Sequence, residues 1–246
     1  MKGTVLILGA SSAIARATAA AFASRGYGLY LAGRDEEELA RDAADLAIRH
    51  QVPVATGRFD AEAFAQHPAF IEQVVEASGE LAGVVVAFGY LGEQSRAVHD
   101  WDETLAIIQR NYTGAVSLLN LCANRMEQAG TGFIVGIASV AGDRGRQSNY
   151  TYGSAKGAFA LYLQGLRNRL APAGVRVLTV KPGFVDTGMT FGLPGMFLVA
   201  SPRYVGERIA RAVERGRDVL YVPWFWRYIM LIITHIPERI FKRLKL

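Results

Sequence analysis

The sequence predicts a single-domain α/β fold: a Rossmann-type doubly wound parallel sheet of seven strands with helices on both faces. Three observations predict it. Short apolar runs alternate with stretches of helical length and composition, a glycine-bearing turn follows the first run at once, and no linker or internal repeat divides the chain. With 246 residues, 51% of them hydrophobic and 20% charged, the chain can bury a large core and is not disordered.

Residues 4–8 (TVLIL) form the first strand and run into Gly9, after which an alanine-rich helix extends to Arg25. Strand, turn and helix in this order open a nucleotide-binding βαβ unit, because a helix N-terminus offers unpaired N–H groups and partial positive charge to a pyrophosphate. Gly9, Ser11, Ser12, Ala13 and Ile14 are the candidates for that contact. Ala13 and Ala15 stand where glycines are usual, so each methyl is expected to crowd backbone approach or helix packing.

Residues 28–33 form the second strand, and Asp35 with Glu38 makes a capping box for a helix to about His50. The strand ends in Gly33 and Arg34 instead of an acid. An arginine there accommodates a ribose 2′-phosphate, which favours NADPH/NADP+ over NADH; the alternative is a surface arginine beside a turn. Residues 54–58 are a short third strand before Asp60, which either faces an adenine edge or caps a turn. Pro68 suits the first turn of a helix through Ala77. Residues 83–87 are a β-branched run of the kind buried on both faces, ending in Ala87, Phe88 and Gly89 beside the cofactor. A long helix is expected over residues 102–126. It carries Asn111 among apolar neighbours, where a buried amide needs polar partners. Further strands are expected at 133–138, 174–180 and 219–223, with a helix from Ser201 and Pro202 to Arg215.

The chemistry concentrates between Ser139 and Lys156. Tyr152 and Lys156 are four residues apart, so on a helix both leave one face about a turn apart. A cation that close is expected to lower the phenol's pKa and let it exchange a proton near neutral pH. Ser139 ends the fifth strand, where its hydroxyl could hold a substrate oxygen while Tyr152 protonates it.

Together, Gly9 to Ala15, Asn111, Ser139, Tyr152, Lys156, and Pro182-Gly183 with Thr187 make the chain resemble the short-chain dehydrogenase/reductase family over residues 4–223. The resemblance implies hydride transfer from a nicotinamide to a carbonyl, with Tyr152 as general acid and Ser139 holding the carbonyl oxygen. It implies that Lys156 binds the nicotinamide ribose and tunes Tyr152, that Asn111 holds a water, and that Pro182, Gly183, Val185 and Thr187 line the nicotinamide amide. A narrower similarity covers residues 86–92 (VAFGYLG), Asn111 to Thr113, and tail segments at 221–223, 227–230, 235–237 and 240–244. It points to the decaprenylphosphoryl 2-keto-ribose reductases, and so to a 2-keto sugar linked to polyprenyl phosphate and a partner oxidase. Reduction of a soluble or carrier-bound ketone such as a 3-oxoacyl group is the alternative, and a non-catalytic scaffold a more distant one. The family also implies a homodimer or homotetramer.

Arg144 and Arg146 lie on the loop between Ser139 and Tyr152, either gripping a substrate phosphate or standing on a solvated loop with Arg144 balanced by Asp143. Residues 188–199, with Met189 and Phe191, read as an apolar lid. Residues 224–246 read as an aromatic and basic tail with five basic residues against one acidic, expected to be either an interfacial membrane anchor or a subunit contact. Most of the net charge of +5 then lies in the tail, leaving a near-neutral body that argues against nucleic acid. Four histidines without ligand spacing and the single Cys122 argue against a metal site. The opening apolar run is too short for a signal peptide, so a cytoplasmic location, at the inner face of a membrane if the tail anchors, is expected.

Overall fold

The computed structural model describes residues 2–79, 81–189 and 197–244. Seven parallel strands, β1 (Thr4–Leu8), β2 (Gly28–Gly33), β3 (Val54–Arg58), β4 (Leu81–Val86), β5 (Phe133–Ile137), β6 (Arg176–Pro182) and β7 (Val219–Val222), form one sheet. Their order is β3-β2-β1-β4-β5-β6-β7. The chain reverses direction of winding between β1 and β4, the switch point at which such sheets open a ligand crevice.

The strands are apolar throughout because both faces are covered. Val5 and Ile7 pack with α1 (Ala13–Ala23), α2 (Glu36–His50) and α8 (Pro202–Glu214). Their neighbours Leu6 and Leu8 pack on the opposite face with α3 (His67–Ser78), α6 (Gly114–Ala129) and α7 (Tyr150–Leu170). Alternate side chains thus feed separate cores, as the period of two requires. Side-chain caps start three of these helices where the sequence placed them: Ser12 for α1, Asp35 for α2 and Ser201 for α8.

One difference from expectation bears on function. The long helix at 102–126 is α5 (Trp101–Ile108) and α6 joined by a π-helical turn over Gln109–Thr113, and Asn111 sits in that turn. Such turns recur at functional sites because they re-aim one side chain without ending the helix. The segment after Pro223 folds onto the body: α9 (Trp226–His235) and α10 (Glu238–Phe241) bury Trp226, Met230 and Phe241. Short helical pieces include α4 (Gln94–Ala97) and the 3₁₀ turn over Val140–Gly142.

Gly206 allows α8 to lie directly on α1, since a Cβ there would come within 2.5 Å of the Ala17 backbone. Forcing a methyl into a packed contact costs about 1–3 kcal/mol. Gly206→Ala is therefore expected to lower Tm by roughly 2–10 °C for a chain of this size, as read by thermal unfolding.

Candidate active site

The crevice at the switch point is a cleft of about 1220 Å³, roomier than a typical site for one small ligand. On its β1 side, Gly9 adopts φ 79°, and a Cβ there would lie 2.7 Å from the Phe88 backbone nitrogen. Glycine is required by both handedness and space. Ser12 then ties the turn down, accepting from the Ala15 nitrogen at 3.3 Å and donating to the Ala87 carbonyl at 3.4 Å. Ser11, Ser12, Ala13 and Ile14 line the cleft together with Ala87, Phe88 and Gly89. Ala15 is wholly buried in the core that packs α1 on the sheet.

Arg34 follows β2 at the same end of the sheet, exposed and beyond the residues lining the cleft. Asp60 is a turn cap: its carboxylate accepts from the Glu62 nitrogen at 3.0 Å, and its carbonyl bonds the His67 ring at 3.1 Å. It too lies outside the cleft lining.

On the other side, Tyr152 and Lys156 project from the first turns of α7 toward the end of β5, and both are buried. Ser139 follows β5 and opens the 3₁₀ turn, accepting from the Ala141 nitrogen at 3.1 Å. That turn rests on α7 backbone against backbone. A Cβ on Gly153 or Gly157 would fall 2.8 Å from the carbonyl of Ala141 or Gly142 respectively. The closeness brings the Ser139 hydroxyl beside the Tyr152 phenol. Lys156 donates to the Ile137 carbonyl at 3.0 Å and lies 5.9 Å from the centre of the Tyr152 ring.

Asn111 and Gly89 complete the arrangement. The asparagine Oδ1 accepts from the Tyr90 nitrogen at 3.2 Å, while Nδ2 donates to the carbonyls of Tyr90 at 2.5 Å and Ile107 at 2.8 Å. Its side chain is thereby tied to backbone groups of the β4 loop and of its own helix. A Cβ on Gly89 would lie 2.8 Å from Asn111 Oδ1 and 3.2 Å from Lys156 Nζ, so any side chain would wedge the two apart. Glu103, which sequence reasoning missed, is a buried carboxylate that secures the same turn by accepting from Tyr90 Oη at 3.0 Å and the Glu93 nitrogen at 2.9 Å.

Burial sets the electrostatics. It pushes the Tyr152 phenol up to about 12, with the neighbouring Ser139 hydroxyl pulling the other way. It pushes the Lys156 ammonium down to about 8. This corrects the expectation that Lys156 lowers the phenol: in this arrangement the amine is directed at a carbonyl, and desolvation outweighs attraction for both groups.

The C-terminal segment forms part of the cleft wall through Trp226. Its ring lies 5.6 Å from Phe184 and 5.5 Å from Phe197, and a Cβ on Gly183 would collide with its indole. The indole Nε1 is buried and has no hydrogen-bond partner among the described residues. Arg144 does not face the substrate region as expected. It donates to the carbonyls of Thr234 at 2.9 Å and Ile236 at 3.0 Å, pairs with Glu238 at 2.7 Å and covers Phe241 at 4.0 Å. Nor does Asp143 balance it, since Asp143 bonds Lys181 at 2.5 Å and Tyr221 at 2.8 Å. The reason is that α9 ends beside this loop and presents its last carbonyls to the guanidinium. Arg146 does line the cleft; its Nε is buried without a partner among the described residues, and burial lowers its pKa.

Pro182, Gly183, Val185, Thr187 and Met189 also line the cleft. A bridge between Val185 and Ala200, with Asp186 N donating to Ala200 O at 3.0 Å, pins the base of the expected lid. Phe191, with the rest of 190–196, lies outside the described residues.

A doubly wound sheet with this turn at β1 and a serine, tyrosine and lysine gathered beyond β5 defines a nucleotide-dependent oxidoreductase. The profile of a family described as short chain dehydrogenase matches residues 3–194, and the chain belongs to the short-chain dehydrogenase/reductase family. An uncharacterized oxidoreductase of Mycobacterium tuberculosis is 37% identical over 240 residues, covering 98% of this chain and 96% of that protein. One from Streptomyces coelicolor is 35% identical over 243 residues, covering 98% and 95%. A short-chain dehydrogenase from Sphingobium yanoikuyae, solved in complex with NADPH, is similar with a TM-score of 0.80 at 27% identity, covering 96% of this chain and 97% of that one.

The buried amine should cost stability. The folded pKa of Lys156 lies near 8 and its ordinary value is 10.5. Protonation therefore penalises the fold fully below pH 8, and the penalty fades as pH rises to 10.5. Lys156→Met is expected to stabilise the chain by on the order of 2 kcal/mol at pH 7, after allowing for the lost hydrogen bond. Denaturant unfolding should show that gain vanishing above about pH 10.5.

Proposed function

We propose that this chain is an NADPH-dependent ketoreductase. The observation that carries the reading is the contact of Ser139 with the Tyr152 phenol, one helical turn from the buried Lys156. A phenol held up near 12 is fully protonated at neutral pH, as a proton donor to a carbonyl oxygen must be. Ser139 holds that oxygen, and the same hydroxyl with the Lys156 cation stabilises the phenolate left after donation. Lys156 remains mostly charged at pH 7 because its pKa lies near 8. The cofactor, when bound, supplies the hydride that the carbonyl carbon takes up as its oxygen takes the proton.

The residues present fit that cofactor. The backbone cradle at Gly9 and the first turn of α1, which has no acidic residue, suit a pyrophosphate. Arg34 suits a 2′-phosphate, and Lys156 and Tyr152 are placed to bind the nicotinamide ribose. Pro182, Gly183, Val185 and Thr187 border the remaining wall. The NADPH complex of the Sphingobium relative supports the same choice.

The substrate reading is a 2-keto sugar linked to polyprenyl phosphate, made upstream by an oxidase. Supporting it are the tail motifs and an apolar mouth in which Val98, Met189 and Phe197 are 43–50% exposed. Arg146 supplies a cation with an unused buried N–H for the phosphate.

Tyr152→Phe should reduce ketone-dependent NADPH oxidation by a hundredfold or more, several kcal/mol of barrier, with cofactor affinity within a few-fold. More than about a tenth of the rate would end the proton-donor role. Arg146→Met should raise KM about tenfold or more for a phosphate-bearing ketone and leave a small neutral ketone unaffected. Equal effects on both would instead favour a soluble or carrier-bound ketone.

A further inference from the structure

The face opposite the Trp226 wall of α9 carries a second, independent feature. Behind the catalytic cleft, α7, α8, β7 and α9 enclose a groove of about 1040 Å³. Arg208, Arg211, Arg215, Arg217 and Arg227 converge on it from three different segments. The one carboxylate in its lining, Asp143, is already taken by Lys181 and Tyr221. None of the five arginines has an ion pair or a side-chain hydrogen bond among the described residues. A body that is near neutral in sum thus gathers a positive patch on one face.

The same groove is rimmed by apolar side chains that have no core to enter. Leu161 is 67% exposed, Trp224 61%, Tyr228 58% and Leu231 57%. On α9 the sorting is by face, for Trp226 and Met230 are buried toward the body, whereas Tyr228 and Leu231 turn outward.

We propose that this face seats the protein on an anionic lipid bilayer. Arginines would meet headgroup phosphates while the aromatic and aliphatic rim enters the interfacial layer, the arrangement of a surface-lying amphipathic element. A second copy of this chain is a poorer occupant, because a twofold contact would set arginine against arginine. A nucleic acid would leave Leu161 and Leu231 without a role. At 10 residues α9 is far below the roughly 20 needed to span, so the contact is with the surface. The proposal does not depend on which ketone is reduced.

The test is sedimentation of the full chain with vesicles of phosphatidylglycerol and phosphatidylcholine, against phosphatidylcholine alone, at low and high salt. Wild type should partition onto the anionic vesicles at low salt and be released at high salt, as expected for charges screened within about a Debye length. Each basic residue at such a surface contributes about fivefold in partitioning, so Arg211→Gln, Arg215→Gln and Arg217→Gln together should lower it roughly a hundredfold. Tyr228→Ser with Leu231→Ser should also weaken partitioning while preserving its salt dependence. Both variants should reduce a small neutral ketone at the wild-type rate, which shows that they fold and separates this result from any failure of the ketoreductase reading. Wild type remaining in the supernatant at low salt would overturn the proposal. So would unchanged partitioning of the triple variant, or binding to an oligonucleotide in preference to the vesicles.

Discussion

The site depends on keeping one lysine amine out of water. Lys156 is 4% exposed, with the Ile137 carbonyl as its hydrogen-bond acceptor. Burying an ammonium is costly unless its surroundings are arranged for it, and here several otherwise unrelated residues serve that arrangement. Gly89 leaves space for Asn111 and Lys156 to approach each other, and the π-helical turn aims Asn111 at the Tyr90 backbone. Gly142, Gly153 and Gly157 let the turn after β5 sit on α7, so Ser139 reaches Tyr152. Stability is spent at this point and recovered in the two apolar layers on either side of the sheet.

The C-terminal segment is bound into the same arrangement. Arg144, five residues after Ser139, takes the final carbonyls of α9 and covers Phe241. Trp226, at the start of α9, meets Gly183 and Phe184 in the cleft wall. Whatever moves α9 therefore moves both a wall residue and the loop that carries Ser139. A helix with one face in the cleft wall and the other beside an arginine-lined groove is placed to link the two.

Local patterns made much of this legible in the sequence. Strands buried on both faces leave continuous apolar runs, and Ser12, Asp35 and Ser201 cap helices through bonds only three residues long. Tyr152 and Lys156 were readable because helical spacing alone puts them on one face. What escaped was long-range. The partners of Arg144 lie about ninety residues away in sequence, so its neighbour Asp143 was the natural but wrong partner to expect. Trp226 read as part of an aromatic surface because nothing local marks which of Trp224 and Trp226 is buried. The basic face was hidden because a summed charge says nothing about where α8, β7 and α9 bring arginines together. The sign of the Tyr152 shift was missed for a related reason: spacing shows that a cation is near, and only the fold shows how completely both groups are desolvated.

The central claim is that Lys156 is a buried amine whose charge is held only loosely. Nitrogen-15 NMR of the full chain labelled at lysine, with the Lys156 Nζ resonance assigned by its loss on substitution, measures this directly. The account predicts a titration midpoint near 8. A midpoint at the ordinary value of 10.5 would contradict it, because the amine would then be either solvated or firmly paired with an anion that the described site does not contain.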